Sequence, residues 1–255
     1  MKGGERNLKM KKEKVKLGIL VGMIALFLFG TVVAVRAEAF QGNGKANAPD
    51  LEKIEFIHWK KGFAKPEAAK APKPPSCYKF LTSTKIKWTV LPVSYVINPV
   101  NPQGLPETFV ESAVSTSAET WDAATGKELM NNSYFLDNSA TYGVLDYKNA
   151  ITFGNYPTKG VIAVTNVWYN PATRRIVDFD IMFDTDWTWG DGVEDPTKMD
   201  LQNIAIHELG HGVGLADVYD TVCSDVTMYG YSDYGETWKR TLEQPDIKGL
   251  RTLYP

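Results

Sequence analysis

The chain has 255 residues, 44% of them hydrophobic and 12% aromatic, the composition of a globular protein with one good core and at most a small appendage. Its charge is unevenly spread. Residues 82–255 carry 12 Lys and Arg against 23 Asp and Glu, a net of −11, while the remainder is basic, which excludes nucleic acid as a partner of the larger part.

At the start, Lys2, Arg6, Lys9, Lys11, Lys12, Lys14 and Lys16 precede an apolar run from Leu17 to Val35, and Val35-Arg36-Ala37 offers a small-residue cleavage site. The run is longer than an ordinary signal core and approaches a membrane span, although Gly22, Gly30 and Thr31 interrupt it. Residues 1–37 therefore read as a signal peptide or a signal anchor. Either delivers the rest outside the cell, secreted or tethered to the outer face of the cytoplasmic membrane, with membrane contact only through the anchor.

Residues 38–81 read as a linker or a short pro-segment. Gln41-Gly42-Asn43-Gly44 and the stretch Pro66 to Pro75 disfavour helix and core, and between them Ile54-Glu55-Phe56-Ile57-His58-Trp59 alternates well enough for one short strand. A pro-segment occluding an active site and a packed N-terminal strand or tether both fit.

Residues 82–255 carry the domain. Ile86 to Ile97 predicts a strand, and Leu105-Pro106 opens a helix with Phe109, Val110, Ala113, Val114, Ser117 and Trp121 on its core face and Gly126 at its end. Ala150 to Phe153, Val161 to Trp168 and Ile176 to Phe183 predict strands. The acids Asp178, Asp180, Asp184, Asp186, Asp191, Glu194 and Asp195 offer oxygen ligands but read as a solvated acidic loop. Asp200 caps the next helix, whose Leu201, Ile204, Ala205 and Leu209 face the core, and a last helix buries Ile247, Leu250 and Leu253. The sum is an α+β (α/β-like) fold of about five strands and three helices, divided by a cleft.

The capped helix holds the chemistry. His207-Glu208-Leu209-Gly210-His211 places two imidazoles one turn apart on one helical face, able to grip one ion. Glu208, beside the first, reaches a metal-bound water without ligating the metal, where a general base must stand. Gly214 suits a turn that only glycine makes cheaply, and the returning chain presents Asp217. The only other histidine, His58, lies in the basic N-terminal third, so Asp217 is the best third ligand of one catalytic zinc.

This HExxHxxGxxD pattern, followed by Thr227-Met228-Tyr229-Gly230, resembles the metzincin metalloproteases, in which a methionine-containing turn underlies the zinc. The resemblance is closest to the matrixin branch. Lys87-Trp88 through Asn98 looks like its first strand, Glu119-Thr120-Trp121-Asp122 like its first helix, Gly160-Val161-Ile162-Ala163 like its substrate-binding edge strand, and Gln244 to Leu250 like its last helix.

It implies that a peptide or protein substrate pairs with Ile162 and Ala163 as an added strand, that Asn203 and Tyr229 to Ser232, Tyr231 among them, shape the pocket beside the zinc, and that Met228 supports the zinc floor. Val164 and Met182 stand where the branch carries histidines for a structural zinc, which is therefore not expected. Calcium stays open: Asp184 matches a calcium-binding carboxylate, but Trp187 replaces its partner acid. Gly230 replaces a usual proline.

Cys77 and Cys223 are expected to form a disulfide in an exported chain; the rival is a latency switch in which Cys77 occupies the open zinc position, although Pro74 to Tyr78 lacks that family's inhibitory motif. The functional expectation is an exported, monomeric zinc endopeptidase. Two other readings remain, a catalytically silent module binding peptides or glycans in the same cleft and a zinc hydrolase of another substrate class; an intact Glu208 counsels against the first.

Overall fold

Two long strands anchor the fold because their side chains are apolar enough to be covered on both faces. In the computed structural model, which describes residues 50–63 and 76–255, these are β6 (Val161–Asn170) and β7 (Arg175–Asp184), almost wholly buried and paired antiparallel from Ala163↔Phe183 to Asn170↔Arg175. The readings made of residues 1–49 and 64–75 lie outside the described residues. No helix among the described residues is long and apolar enough to cross a membrane.

The remaining elements, in chain order, begin with β1 (Glu52–Lys60), β2 (Lys79–Phe80), β3 (Val96–Ile97), α1 (Glu107–Thr125), β4 (Phe135–Leu136) and β5 (Ala150–Gly154). After β7 come β8 (Trp189–Gly190), β9 (Met199–Asp200), α2 (Leu201–Gly212), β10 (Leu215–Ala216), β11 (Tyr231–Ser232) and α3 (Gln244–Leu253). The main sheet runs β11-β1-β6-β7-β5-β3-β4, with two-stranded pairs β10-β2 and β8-β9 beside it.

The strands expected over Ile54 to Trp59, Ile86 to Ile97, Ala150 to Phe153, Val161 to Trp168 and Ile176 to Phe183 correspond to β1, β3, β5, β6 and β7, and the sheet is extended to seven by the short β4 and β11 at its two edges. The strand expected over Ile86 to Ile97 shortens to Val96–Ile97, since Pro92 has no N–H to donate and only single bridges, Lys87↔Arg175 and Val93↔Met130, form upstream.

Core packing places α2. The Trp121 indole N–H of α1 donates to the Ile206 carbonyl at 2.8 Å, and Trp88 donates to Gly212 O at 2.8 Å, so aromatic donors hold α2 at its middle and at its C-terminal end. At its N-terminus, Asp200 Oδ1 accepts from Asn203 N–H at 2.7 Å, a side-chain cap that also pairs with Arg240. Cys77 and Cys223 form a disulfide, tying the entrance of the domain to the turn before Met228, so Cys77 is not the occupant of a metal position.

The acidic run is not a solvated loop throughout. Asp178, Asp180 and Asp184 lie on β7 and are buried. Asp178 Oδ2 accepts from the N–H groups of Asp146 (3.0 Å) and Tyr147 (2.9 Å), and Asp180 accepts from Gly143 (2.8 Å), Val144 (3.0 Å) and Ala150 (3.0 Å). Being two residues apart on one strand, the pair faces one side and serves as the template for the loop before β5. Burial pushes the Asp180 carboxyl up to about 6, the backbone donors working against it. Asp184 Oδ1 accepts from Asp186 N–H at 2.9 Å, while Trp187 donates its indole N–H to Val161 O and brings no second carboxylate.

Asp180→Ala strands three backbone donors and is expected to cost about 2–4 kcal/mol in a urea unfolding titration, with Asp180→Asn, which keeps one acceptor oxygen, losing less. A loss below about 0.5 kcal/mol would show that the loop does not hang on this carboxylate.

Candidate metal centre

The side chains of His207 and His211 are fully buried on one face of α2, and their orientation is set by their inner nitrogens. His207 Nδ1 lies 2.7 Å from Thr227 O, and His211 Nδ1 lies 2.8 Å from Leu215 O. A carbonyl can only accept, so each Nδ1 carries the proton and each Nε2 is left with a bare lone pair.

Those lone pairs converge on a carboxylate. Asp217 Oδ1 lies 3.0 Å from His207 Nε2 and 3.5 Å from His211 Nε2, and all three atoms are buried without a hydrogen-bond partner. An anionic oxygen facing two lone pairs is a repulsive arrangement that a cation converts into an attractive one. The same closeness favours positive charge at this point: burial alone would raise Asp217, but His211 and His207 in their protonated forms more than offset it and hold its carboxyl well below the usual range, and Asp217 likewise outweighs burial at His211 and draws that imidazole upward. Two nitrogens and one oxygen fit a zinc that keeps one open position, and His207, His211 and Asp217 are the residues that could hold it.

The turn after α2 makes this geometry possible. Gly214 adopts φ +112°, and a Cβ there would sit 2.8 Å from Leu253 Cδ1, so a side chain is excluded on both counts. The reversal lets Leu215 accept from His211 and brings Asp217 back, where the Tyr219 hydroxyl donates to its Oδ2 at 3.0 Å. Tyr219 packs on Gly230: a Cβ at that position would lie 2.5 Å from its ring, which explains the glycine after the methionine turn.

Met228 is buried under α2, and Asp246 of α3 accepts from Thr227 N–H (2.9 Å) and Met228 N–H (3.3 Å). The turn is thereby pinned to α3, and through Thr227 O it aims His207.

Glu208 is buried on the same helix and makes two side-chain contacts. Thr165 Oγ1 donates to its Oε2 at 2.5 Å, and His58 Nδ1 lies 3.2 Å from its Oε1. His58 Nε2 lies 3.0 Å from Ser232 Oγ, which accepts from Lys239 Nζ at 2.9 Å. Burial, with His207 beside it, pushes the His58 imidazole down to about 3, so it is neutral. A neutral His58 with an acceptor at Nδ1 must donate there and accept from Ser232 at Nε2. The polar chain therefore runs Lys239 to Ser232 to His58 to Glu208. For Glu208, burial alone would raise the carboxyl, but the His58 hydrogen bond and the nearby imidazoles hold it below its ordinary value.

Among the residues expected around the cleft, Ala163 pairs with His58 on one side and Phe183 on the other, while Ile162 stands at the register shift between the pairs His58↔Ala163 and Trp59↔Val161. Tyr231 pairs with Trp59. Asn203 does not reach the groove by any contact seen here: its Oδ1 accepts from Lys239 N–H at 3.0 Å, so it positions that lysine.

His58 overturns one expectation outright, since it was set apart from the metal site and instead packs against His207 with ring centroids 3.9 Å apart. Being one of three histidines, inside the one alternating segment of an otherwise linker-like stretch, was the available signal. Lys239, Tyr219 and Thr165 left no such mark.

The matrixin family profile matches residues 87–255. Stromelysin-1 of Mus musculus is 28% identical over 170 residues, covering 66% of this chain and 33% of that protein. Neutrophil collagenase of Homo sapiens is 28% identical over 174 residues (68% and 34%), and matrilysin of Homo sapiens is 28% identical over 172 residues (66% and 58%). The chain thus spans about a third of the first of these relatives and somewhat more than half of the last. With the family profile covering well over half of its length, the chain belongs to the matrixin family of metalloproteases.

Proposed function

We propose that the chain is an exported zinc-dependent endopeptidase in which His207, His211 and Asp217 hold one zinc and Glu208 is the general base. The observation that carries this is the convergence of two proton-free imidazole nitrogens and a buried carboxylate oxygen, all unpartnered, beside a carboxylate that is not one of them. Export is supported by the basic-then-apolar start of the chain and by the Cys77–Cys223 disulfide, a bond that persists in oxidising compartments.

When bound, zinc would acidify a water and polarise the scissile carbonyl. The rest is done by the chain's own groups. Glu208 takes a proton from the water and returns it to the leaving amine, with Thr165 fixing one carboxylate oxygen so that the other faces the groove. The main chain of β6 aligns an extended peptide, and β11 on the far side restricts where that peptide can lie. Main-chain recognition is tolerant of sequence, so selectivity rests on the side chain that takes the place where His58 now meets Ser232, itself held by Lys239.

The zinc assignment is checked by metal analysis: one zinc per chain in the wild type, none after exhaustive dialysis of a His207→Ala, His211→Ala double variant, and weaker retention in Asp217→Ala, where water replaces one ligand. Full zinc in the double variant would remove these residues from the site. Glu208→Ala is expected to keep its zinc and its melting temperature while peptide hydrolysis falls by about 10²–10⁴. Wild-type turnover in that variant with zinc bound would show that another group is the base.

A further inference from the structure

The chain leaves β1 across a loop that carries two carboxylates and two aromatic rings. β1 pairs antiparallel with β6 and parallel with β11 at Trp59↔Tyr231 and Lys60↔Ser232, and it passes the metal-ligand candidates at Phe56 and His58, whose rings pack on His211 and His207. Past that point Lys60 N–H donates to Gly160 O at 2.8 Å and Lys61 N–H to Ser232 O at 2.9 Å, so the main chain is gripped from both sides and fixes where these two side chains lie. Each lysine then meets the same kind of pair, a carboxylate and a ring. Lys60 Nζ lies 2.7 Å from Asp233 Oδ1 and 5.7 Å from the centre of the Tyr234 ring. Lys61 Nζ pairs with Glu236 Oε1 and lies 5.4 Å from the centre of the Trp238 ring.

The loop is held from behind by groups that do not belong to β1. Gly235 adopts φ +67° and donates its N–H to Lys198 O at 2.9 Å, and a Cβ there would sit 2.8 Å from Pro196 O, so the turn that separates Tyr234 from Glu236 needs a glycine. Tyr234 N–H donates to Asp233 Oδ1 at 2.8 Å, and the Tyr234 ring meets Trp187 edge-on with centroids 5.7 Å apart. Glu236 is buried; its Oε2 lies 3.4 Å from Lys239 Nζ, which leaves Oε1 for a second cation. Against the two carboxylates of the loop stands one buried ammonium group, Lys239, so without an occupant the loop is short of positive charge. A single exposed ion pair contributes little, but two adjacent cations matched by two carboxylates and two rings, at places set by main-chain pairing, make a pattern that discriminates.

We propose that Asp233, Tyr234, Glu236 and Trp238 form a subsite for two adjacent basic residues of an external peptide, second and third after the side chain that meets Ser232. This deepens the endopeptidase reading above and rests on it: the substrate class becomes peptides that carry neighbouring Lys or Arg on the C-terminal side of the bond at the metal centre. Lys60 and Lys61 display the register and the chemistry of such an occupant. Arginine suits the same places, because its planar guanidinium stacks on a ring while it pairs with a carboxylate. An acidic residue at either place would face Asp233 or Glu236 and be rejected, a choice that strand pairing alone does not make. These contacts lie away from the reacting bond and hold the peptide equally in its ground and transition states, so they act on KM and not on kcat.

The test gives the zinc-loaded full chain a peptide library randomised at every position and reads the cut sites by mass spectrometry; enrichment of Lys and Arg at two adjacent places after the cut is expected. Between matched peptides with Lys-Lys or Ala-Ala at those places, the first should show a KM about ten-fold lower at similar kcat, a gap that narrows as salt is raised. Asp233→Lys, on the exposed rim, should turn the preference at the first place toward Glu, and Glu236→Gln should weaken it at the second. A readout without catalysis uses the isotope-labelled, metal-free chain: an excess of a synthetic peptide of residues 52–63 should speed hydrogen exchange at the Lys60 and Lys61 amides by competing for the groove, several-fold more than the same peptide with both lysines changed to Ala. Cut sites indifferent to charge at those places, or two peptides that compete equally, overturn the proposal and leave the endopeptidase reading intact. A chain that cleaves nothing in the library overturns that reading, and the exchange comparison then decides by itself whether the loop recognises the basic pair.

Discussion

The site depends on where two protons are kept. Thr227 O and Leu215 O each claim the Nδ1 proton of one histidine and so leave both Nε2 lone pairs pointing at Asp217. Neither acceptor lies within α2, which is why so much of the C-terminal chain serves the helix. Thr227 is fixed by Asp246 at the start of α3, Leu215 by the reversal at Gly214 and by the pairing of β10 with β2, and Asp217 by Tyr219 resting on Gly230. Moving any of these supports rotates an imidazole or frees its proton, and the lone pairs no longer meet.

Elsewhere carboxylates order backbone. Asp178 and Asp180 collect the N–H groups of the loop before β5, and Val164 and Met182, where the family resemblance places metal-binding histidines, pair with each other across β6 and β7 in an apolar cluster with Val161. Buried carboxylates are costly alone, as the raised Asp180 shows, but each backbone donor they satisfy would otherwise be unpaired in the interior. The loop is thus held by the chain's own charges, close to the strand that forms the groove wall.

The metal-ligand candidates, the candidate base, the cap at Asp200 and the glycine turn were legible because each follows from local spacing: one turn of helix, the next residue, a cap, a reversal. The central strands were legible because their apolar runs are long. The Ile86 to Ile97 segment misled because its apolar content resembles a strand while Pro92 interrupts the ladder. The acids of β7 misled because charge is normally a surface signal, and only the positions of distant N–H groups show that these are buried. His58 carried only a weak mark, a histidine in an alternating segment: 150 residues separate it from Glu208, and nothing local to it records that β1 pairs with β6.

The two-sided grip on β1 also limits what can enter the groove. An occupant must run antiparallel to β6 and parallel to β11 at once, which fixes its N-to-C direction and register, since a shift by one residue would turn its pocket side chain to the opposite face. β1 meets both conditions from within the same chain, and covalent attachment gives it an effective concentration on the order of millimolar. Any other occupant of the groove therefore competes with a strand that is already present at that concentration and already satisfies both edges.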